Sequence, residues 1–159
     1  QVGEPTDPGV VAIRLTKVPR FVVAAPSVLS GADVPAAPDA LAALPWLALP
    51  TYYRTELALT HATTGDTRRI PIRPRITTAN LYALRSAALL GVGACVGSSW
   101  MLADDLARGD LVHLAPEWQA AALPVYLTYP HAQFYPSRLV RFAAMMREAV
   151  PALVEGRDG

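Results

Sequence analysis

Cysteine and lysine are scarce in this chain. Its 159 residues contain one cysteine, Cys95, and one lysine, Lys17, so arginine supplies nearly all of the positive charge. A single cysteine excludes a disulfide framework, and its position in an apolar run predicts a small buried side chain rather than a redox or metal-binding group. The formal net charge is only +1. Such a small charge excludes the basic surface of a nucleic-acid-binding domain, so the chain alone is not expected to bind DNA.

Apolar runs of membrane-spanning length are also lacking. Gly91, Gly93 and Gly97 interrupt the longest run before it reaches the roughly 20 residues that a membrane helix needs. The chain begins at Gln1 without the pattern of a secretory signal and without an initiator methionine, which indicates a cut or expressed fragment. Hydrophobic residues make up 52% of the chain and charged residues 17%. These proportions predict a packed globular protein with one domain or two small lobes.

The clearest pattern is an alternation of helix and strand from Ile76 to Trp118. It begins with Thr77 and Thr78, whose hydroxyls are predicted to cap a short helix. In that helix Leu84 and Ala88 share one face with Leu81, which predicts a half-buried element.

A glycine turn follows this helix. Gly91 and Gly93 are expected to adopt positive φ and to lead into a buried strand over residues 94–96. Ser98 or Ser99 is then predicted to cap a second helix, which Gly109 ends before a strand over residues 111–114.

Proline divides the remaining chain into short elements. These are predicted as a loop (1–9), an extended run (10–15), a strand (20–25), a helical turn (27–30), a helix (38–44), a buried strand (46–49) and another strand (124–129). A final helix from Pro136 is predicted to place Leu139, Phe142, Ala143, Met146 and Val150 on one face. Pro151 is expected to end or kink it, and the tail from Glu155 to Gly159 is expected to fray.

Two extended runs, residues 56–62 and 69–76, are predicted to form a hairpin around Thr64-Gly65-Asp66. In the second run isoleucines alternate with Arg69, Arg73 and Arg75. These arginines have two interpretations: a stripe that binds phosphate, or the solvated face of an edge strand. Pro71 and Pro74 favour the edge strand.

Several patterns that resemble catalytic or cofactor motifs fail on order or spacing. The glycines at 91, 93 and 97 follow a helix and precede a strand, the reverse of a dinucleotide-binding motif, and Gly97-Ser98-Ser99-Trp100 lacks the second glycine of a nucleophile elbow. His61, His113 and His131 lie on separate elements without metal-ligand spacing. Asp104-Asp105 is typical of helix-dipole compensation. We therefore predict no catalytic residue, no cofactor and no metal.

The strings AALLGVGACVGSSWMLADDLARGDLVHLAPEW and LPVYLTYPHAQFYPSRLVRF resemble the C-terminal effector-binding domain of LysR-type transcriptional regulators. Val2-Gly3-Glu4, RFVVAAPSVL (Arg20 to Leu29) and PDALAALPWL (Pro38 to Leu47) match the same family pattern in the same order. No single motif among these is diagnostic, but their collinear order covers nearly the whole chain.

The resemblance implies an α/β fold of the type 2 periplasmic-binding-protein-like class, with two lobes of mixed sheets flanked by helices. Residues 1–23 and 127–159 would form lobe I, which lacks its first strand-helix-strand-helix segment, and residues 24–126 would form lobe II. The DNA-binding winged helix-turn-helix of the family is expected to be absent from this chain. We expect a cytoplasmic, non-enzymatic sensing domain of a homodimer or homotetramer that reaches DNA only through that missing domain. A periplasmic-type solute receptor or an enzyme on the same fold is the alternative.

Ligand binding is predicted where strands end and helices begin. Hydroxyls, aromatic rings and free helix amides would meet there, a combination that favours an anion such as a small carboxylate or aromatic acid. For the tyrosines, loop packing is the competing interpretation, and for the threonines it is helix capping alone. The predicted ligand-binding residues are Pro50, Thr51, Tyr52, Tyr53, Thr77, Thr78 and Ser98.

Overall fold

Short apolar runs flanked by proline and glycine become strands and 3-10 helices in the structure, a computed structural model that describes residues 1–155. The strands are β1 (Val10–Ala24), β2 (Trp46–Ala48), β3 (Glu56–His61), β4 (Thr67–Pro71), β5 (Pro74–Thr77), β6 (Cys95–Ser98), β7 (Val112–Leu114) and β8 (Trp118–Pro130). The helices are α1 (Leu81–Leu89), α2 (Ser99–Arg108) and α3 (Ser137–Glu155), with 3-10 helices over Pro26–Leu29 and Pro38–Ala43. The predicted fraying beyond residue 155 lies outside the described residues. None of the described helices is long and apolar enough to cross a membrane.

The strands form two sheets. The larger sheet has the order β4-β3-β8-β1-β6, with β7 also paired to β1, and the smaller sheet pairs β2 with β5. The β2–β5 pair is parallel, whereas β3–β4, β3–β8, β1–β6 and β1–β7 are antiparallel.

The chain divides into two compact units. One is Pro19–Ala121, and the other is made of Gln1–Val18 and the chain from Ala122 onward. The chain passes from one unit to the other within β1 and again within β8, because these long strands contain both boundaries.

The main apolar core lies within the unit Pro19–Ala121. Trp46 is its largest fully buried side chain, and the indole Nε1 donates a hydrogen bond of 2.8 Å to the carbonyl of Leu41. Leu84 and Ala88 bury one face of α1 against this core and Leu81 packs beside them, which confirms the predicted helix face.

A buried carboxylate connects α1 to α2. Asp105 is completely buried and accepts hydrogen bonds from Arg85 Nε, Arg85 Nη2 and Arg108 Nη2, each at 2.6 Å. The interpretation of Asp104-Asp105 as helix-dipole compensation is therefore wrong for Asp105, whose charge is neutralised by two arginine side chains in the fold.

The arginine-rich run does not form the single strand that its alternation predicts. It is interrupted after Pro71, so β4 pairs with β3 while β5 leaves the hairpin and pairs with β2 in the other sheet. Ile70 and Ile72 are buried, but Ile76 is exposed because it lies in β5. The edge position predicted for β4 is confirmed.

Three further predictions differ from the structure. Residues 10–15 and residues 20–24 belong to one strand, β1, and α3 does not end at Pro151 but continues to Glu155, so that of the two predicted effects only a kink stays a prediction. Gly91 has the predicted positive φ of 73°, but Gly93 does not. Glycine is required at position 93 for another reason, since a Cβ there would lie 2.8 Å from the carbonyl oxygen of Pro45.

Candidate functional site

Three segments of the unit Pro19–Ala121 meet where parallel strands end. In the β2–β5 pair Ala48 lies opposite Thr77, and a parallel bridge joins Trp46 to Ala94 just before β6. Polar segments follow the carboxyl ends of these strands, where α/β sheets commonly bind ligands. We call this region the strand-end site; its residues are Arg20, Pro50, Thr51, Tyr52, Tyr53, Thr77, Thr78, Ser98 and Ser99.

Tyr53 anchors the turn that follows β2. Its side chain is only 5% exposed, and its hydroxyl oxygen accepts a 3.0 Å hydrogen bond from the backbone amide of Val96 in β6. Burial raises the pKa of the Tyr53 phenol, so the group stays neutral. Tyr53 therefore fixes the position of the turn rather than presenting its ring to solvent.

Tyr52, the preceding residue, is 40% exposed, and its ring stacks against a cationic side chain. The guanidinium carbon of Arg20 lies 5.0 Å from the centre of the Tyr52 ring, and Arg20 Nε donates a 2.7 Å hydrogen bond to the carbonyl of Ala121. Burial lowers the pKa of Arg20, but arginine remains protonated at neutral pH. Because Arg20 lies opposite Ser98 in the β1–β6 pair, this cation is held beside the end of β6.

The start of α2 lacks the side-chain cap that the sequence predicts. Ser98 occupies the N-cap position with extended backbone, yet its hydroxyl accepts no capping hydrogen bond. Ser99 is also buried, and its Oγ has no hydrogen-bond partner among the described residues. Two buried hydroxyls therefore stand beside helix amides whose partial positive charge favours an anion.

The start of α1 is capped by a different residue from those predicted. The side-chain oxygen of Asn80 accepts hydrogen bonds from the amides of Tyr82 and Ala83 at 2.9 and 3.1 Å. Thr77 instead ends β5, and Thr78 Oγ1 accepts a 3.1 Å hydrogen bond from the amide of Asn80. The prediction that Thr77 or Thr78 caps this helix is wrong, because pairing with β2 keeps the chain extended through Thr77.

An open cavity of about 430 Å³ lies between the turn after β2 and β5. Pro50 and Thr77 line it together with Arg54, Thr55 and Pro74. The structure thus brings two of the seven predicted residues into one cavity, leaves Thr51 exposed, and groups Tyr52 and Ser98 around Arg20.

The sequence did not identify Arg20 and Ser99 of the strand-end site as ligand-binding residues, nor Arg54, Thr55 and Pro74 of the cavity beside it. The only local signal for Arg20 was a charge at the first position of an apolar strand, and its stacking partner is more than 30 positions away.

Cys95 and His61 take structural positions. Cys95 is completely buried, which raises the pKa of its thiol to about 12. His61 Nδ1 accepts hydrogen bonds from the amides of Thr63 and Thr64 at 3.2 Å each. Within residues 1–155 no group of three or more His, Cys, Asp and Glu side chains is arranged to hold a metal ion.

His113 packs against an aromatic ring. Its ring packs 4.6 Å from that of Phe21, and its buried Nε2 has no hydrogen-bond partner among the described residues. Burial lowers the pKa of His113 accordingly.

Comparison with known proteins decides the family. The family model for the LysR substrate binding domain matches residues 2–151. This chain belongs to the LysR substrate-binding domain family. Its fold is accordingly the type 2 periplasmic-binding-protein-like α/β fold, as the resemblance implied.

LysR-type regulators from three bacteria illustrate the relationship. The HTH-type transcriptional regulator PtxR of Pseudomonas aeruginosa is 30% identical over 148 residues, which are 93% of this chain and 47% of PtxR. Full-length AphB, the virulence activator of Vibrio cholerae, is 25% identical over 92% of this chain and 49% of AphB, with a TM-score of 0.74. The CrgA regulatory domain of Neisseria meningitidis is 25% identical over 92% of this chain and 71% of that domain, with a TM-score of 0.69. The chain thus spans about half the length of PtxR and of full-length AphB.

Proposed function

We propose that this LysR substrate-binding domain senses a small organic anion in the cytoplasm and thereby controls a transcriptional regulator. Its relatives are transcriptional regulators, and the anion would bind at the strand-end site. A small carboxylic or aromatic acid is the preferred ligand class. Sensing requires binding without chemical change, so we propose no catalytic role for the described residues.

The arrangement of Arg20 carries this proposal. Stacking on Tyr52 and one hydrogen bond to the Ala121 carbonyl hold the guanidinium, and within residues 1–155 this bond engages one of its five N–H donors. Ser98, opposite Arg20, leaves the start of α2 without a side-chain cap. A carboxylate in this position would receive charge-assisted hydrogen bonds from the arginine and from the helix amides together.

Control of transcription would follow from a shift between arrangements of the protein. A ligand that binds one arrangement more tightly increases its population, and the effect can reach other subunits of a homodimer or homotetramer. DNA would be contacted by the part of the regulator that lies outside this chain. We propose that the two compact units correspond to the two lobes of the family fold, with boundaries near residues 19 and 121 rather than 24 and 126.

Calorimetry with a charged and a neutral form of the same ligand tests the proposal. Members of a panel of small aromatic and aliphatic acids should bind, whereas the amide of each binding acid, for example benzamide beside benzoate, should bind at least tenfold more weakly. Arg20→Gln should weaken binding of the acid by about 1.5 to 3 kcal/mol, the range for a hydrogen bond to a charged group. Arg68→Gln makes the same charge change on the exposed strand β4 and should leave affinity unchanged.

Recovery of the unaltered acid after incubation would support sensing over catalysis. Equal affinity for acid and amide, or unchanged affinity in Arg20→Gln, would remove Arg20 from the ligand site.

A further inference from the structure

We propose that the unit Pro19–Ala121 contains a second anion site, separate from the strand-end site. The site is a cavity of about 540 Å³ between the 3-10 helix Pro38–Ala43 and the link from β4 to β5, with Arg73 and Arg75 in its wall. We call it the Arg73/Arg75 cavity. Its ligand class is a small molecule that carries a doubly charged oxyanion, either a phosphate monoester or a dicarboxylate, on an apolar body.

The break in the arginine-rich run creates the site. If residues 69–76 formed one edge strand, all of its arginines would project from an open, solvated face. In the structure the chain leaves β4 after Pro71 and joins the other sheet at Pro74, so Arg73 and Arg75 lie against a concave surface instead. Arg73 and Arg75 are exposed, as the solvated interpretation predicts, but unlike the arginines of β4 they line a cavity.

The charges of this run are distributed unequally. Arg69, on the intact part of β4, forms a 2.7 Å ion pair with Glu56. Arg73 and Arg75 have no ion pair within the described part of the chain, and no carboxylate lines their cavity there. Two guanidinium groups separated by one residue thus share a concavity, and none of the described carboxylates balances them there. Their planar forks suit phosphate and carboxylate oxygens, which they bind in bidentate fashion.

The rest of the lining is apolar. It consists of Ala42, Ala43, Leu44, Pro45 and Pro71. Their side chains offer no hydrogen-bonding group, so the two arginines supply the side-chain polarity of the cavity. Its volume falls within the range of about 300 to 1,000 Å³ that small-molecule sites occupy. This combination favours an anionic head with an apolar body over a hydrated inorganic ion.

Both walls are fixed by the fold. On one side the amide of Ile72 donates a 2.9 Å hydrogen bond to the carbonyl of Thr55, and the Ile72 side chain is buried. On the other side the carbonyl of Pro45 accepts a 2.8 Å hydrogen bond from Ala94, and Gly93 packs closely against it. The arginines therefore project from a preorganised backbone, which reduces the entropy that a ligand must remove on binding.

The test uses two aromatic dianions, phenyl phosphate and isophthalate, with inorganic phosphate and neutral isophthalamide as controls. Titrations of isotope-labelled protein followed by NMR should show saturable shifts of the amides of residues 42–44 and 72–75 with at least one dianion. The dianion that binds more tightly identifies the oxyanion. The double substitution Arg73→Gln and Arg75→Gln should weaken that binding at least tenfold, whereas Arg68→Gln, an equivalent charge change on β4, should not.

Arg20→Gln separates this site from the strand-end site, because it should leave dianion binding at residues 42–44 and 72–75 unchanged. The proposal is overturned if neither dianion binds saturably, if the double variant keeps its affinity, or if inorganic phosphate or isophthalamide binds as tightly as the aromatic dianions. Shifts confined to the residues around Arg20 and Ser98 would overturn it as well.

Discussion

The pairing of α1 with α2 predicts an asymmetry in stability. Asp105 is completely buried, whereas its partners Arg85 and Arg108 keep 30% and 55% of their side chains exposed. Removing the carboxylate therefore leaves two guanidinium groups that water can solvate. Removing Arg85 instead leaves a carboxylate that water cannot reach, with Arg108 as its only partner.

The magnitudes follow from the three 2.6 Å hydrogen bonds. In Asp105→Asn the amide oxygen can still accept hydrogen bonds without charge assistance, but the amide nitrogen is a donor and faces an arginine donor, so hydrogen bonding is lost there. The gross loss is about 1.5 to 3 kcal/mol per bond, and relief of the carboxylate's desolvation, several kcal/mol, offsets most of the sum. We expect a net loss of about 2 kcal/mol, or a melting temperature lowered by roughly 4 to 8 °C for a chain of this size. In Arg85→Met the stranded carboxylate should destabilise the fold by more, roughly 3 kcal/mol, the lower end for a broken buried pair.

Urea unfolding of both variants measures this difference. The slope of the free energy of unfolding against urea should stay constant, so that the midpoint reports stability directly. Arg68→Met removes an exposed arginine of β4 and controls for the loss of charge alone. The reasoning is refuted if Asp105→Asn destabilises the protein more than Arg85→Met does, or if neither variant loses more than about 0.5 kcal/mol, the usual effect of a surface substitution.

Three further predictions concern single residues. Asn80→Ala should lower the free energy of unfolding by about 1 kcal/mol because it removes the cap of α1, and in thermal melts Thr78→Val should have a smaller effect. Tyr53→Phe should lower it by about 1 to 3 kcal/mol in chemical denaturation, since the buried amide of Val96 loses its acceptor; an unchanged midpoint would contradict this. Cys95 should resist Ellman's reagent in the native protein at pH 8 and react in urea, because burial raises its pKa to about 12. The Cys95 thiol stays neutral in the folded protein up to about pH 12, whereas in the unfolded chain it ionises near pH 9. The free energy of unfolding should therefore be unaffected by this group below pH 9 and should fall as pH rises from about 9 towards 12.

The helical and apolar patterns of the sequence predicted part of the core of the unit Pro19–Ala121. Leu84 and Ala88 are buried as predicted because a period of 3.6 residues is local information. The strand at Trp46, the hairpin and the glycine end of α2 follow from equally local signals. The family order supplied the fold class, which composition and periodicity alone do not specify.

The predictions that were wrong concern residues whose role depends on contacts with residues far away in the sequence. Asn80 rather than Thr78 caps α1 because β5 extends as far as its pairing with β2 requires. The role of Asp105 depends on Arg85, 20 positions away, and that of Tyr53 on an amide 43 positions away. The sequence shows which hydroxyl and carboxylate groups could bind a ligand. Tertiary contacts determine which of them instead form hydrogen bonds within the fold.

The two adjacent tyrosines of the turn after β2 differ in how firmly their side chains are held. Tyr53 is locked to β6 by its hydroxyl, while Tyr52 lies at the surface over a cation. The backbone entropy of this turn was therefore lost when the chain folded, and a ligand that covers the Tyr52 ring has only side chains left to immobilise. Its rate of association should accordingly depend on diffusion and orientation rather than on loop closure, so ligands of very different affinity should differ chiefly in how slowly they leave.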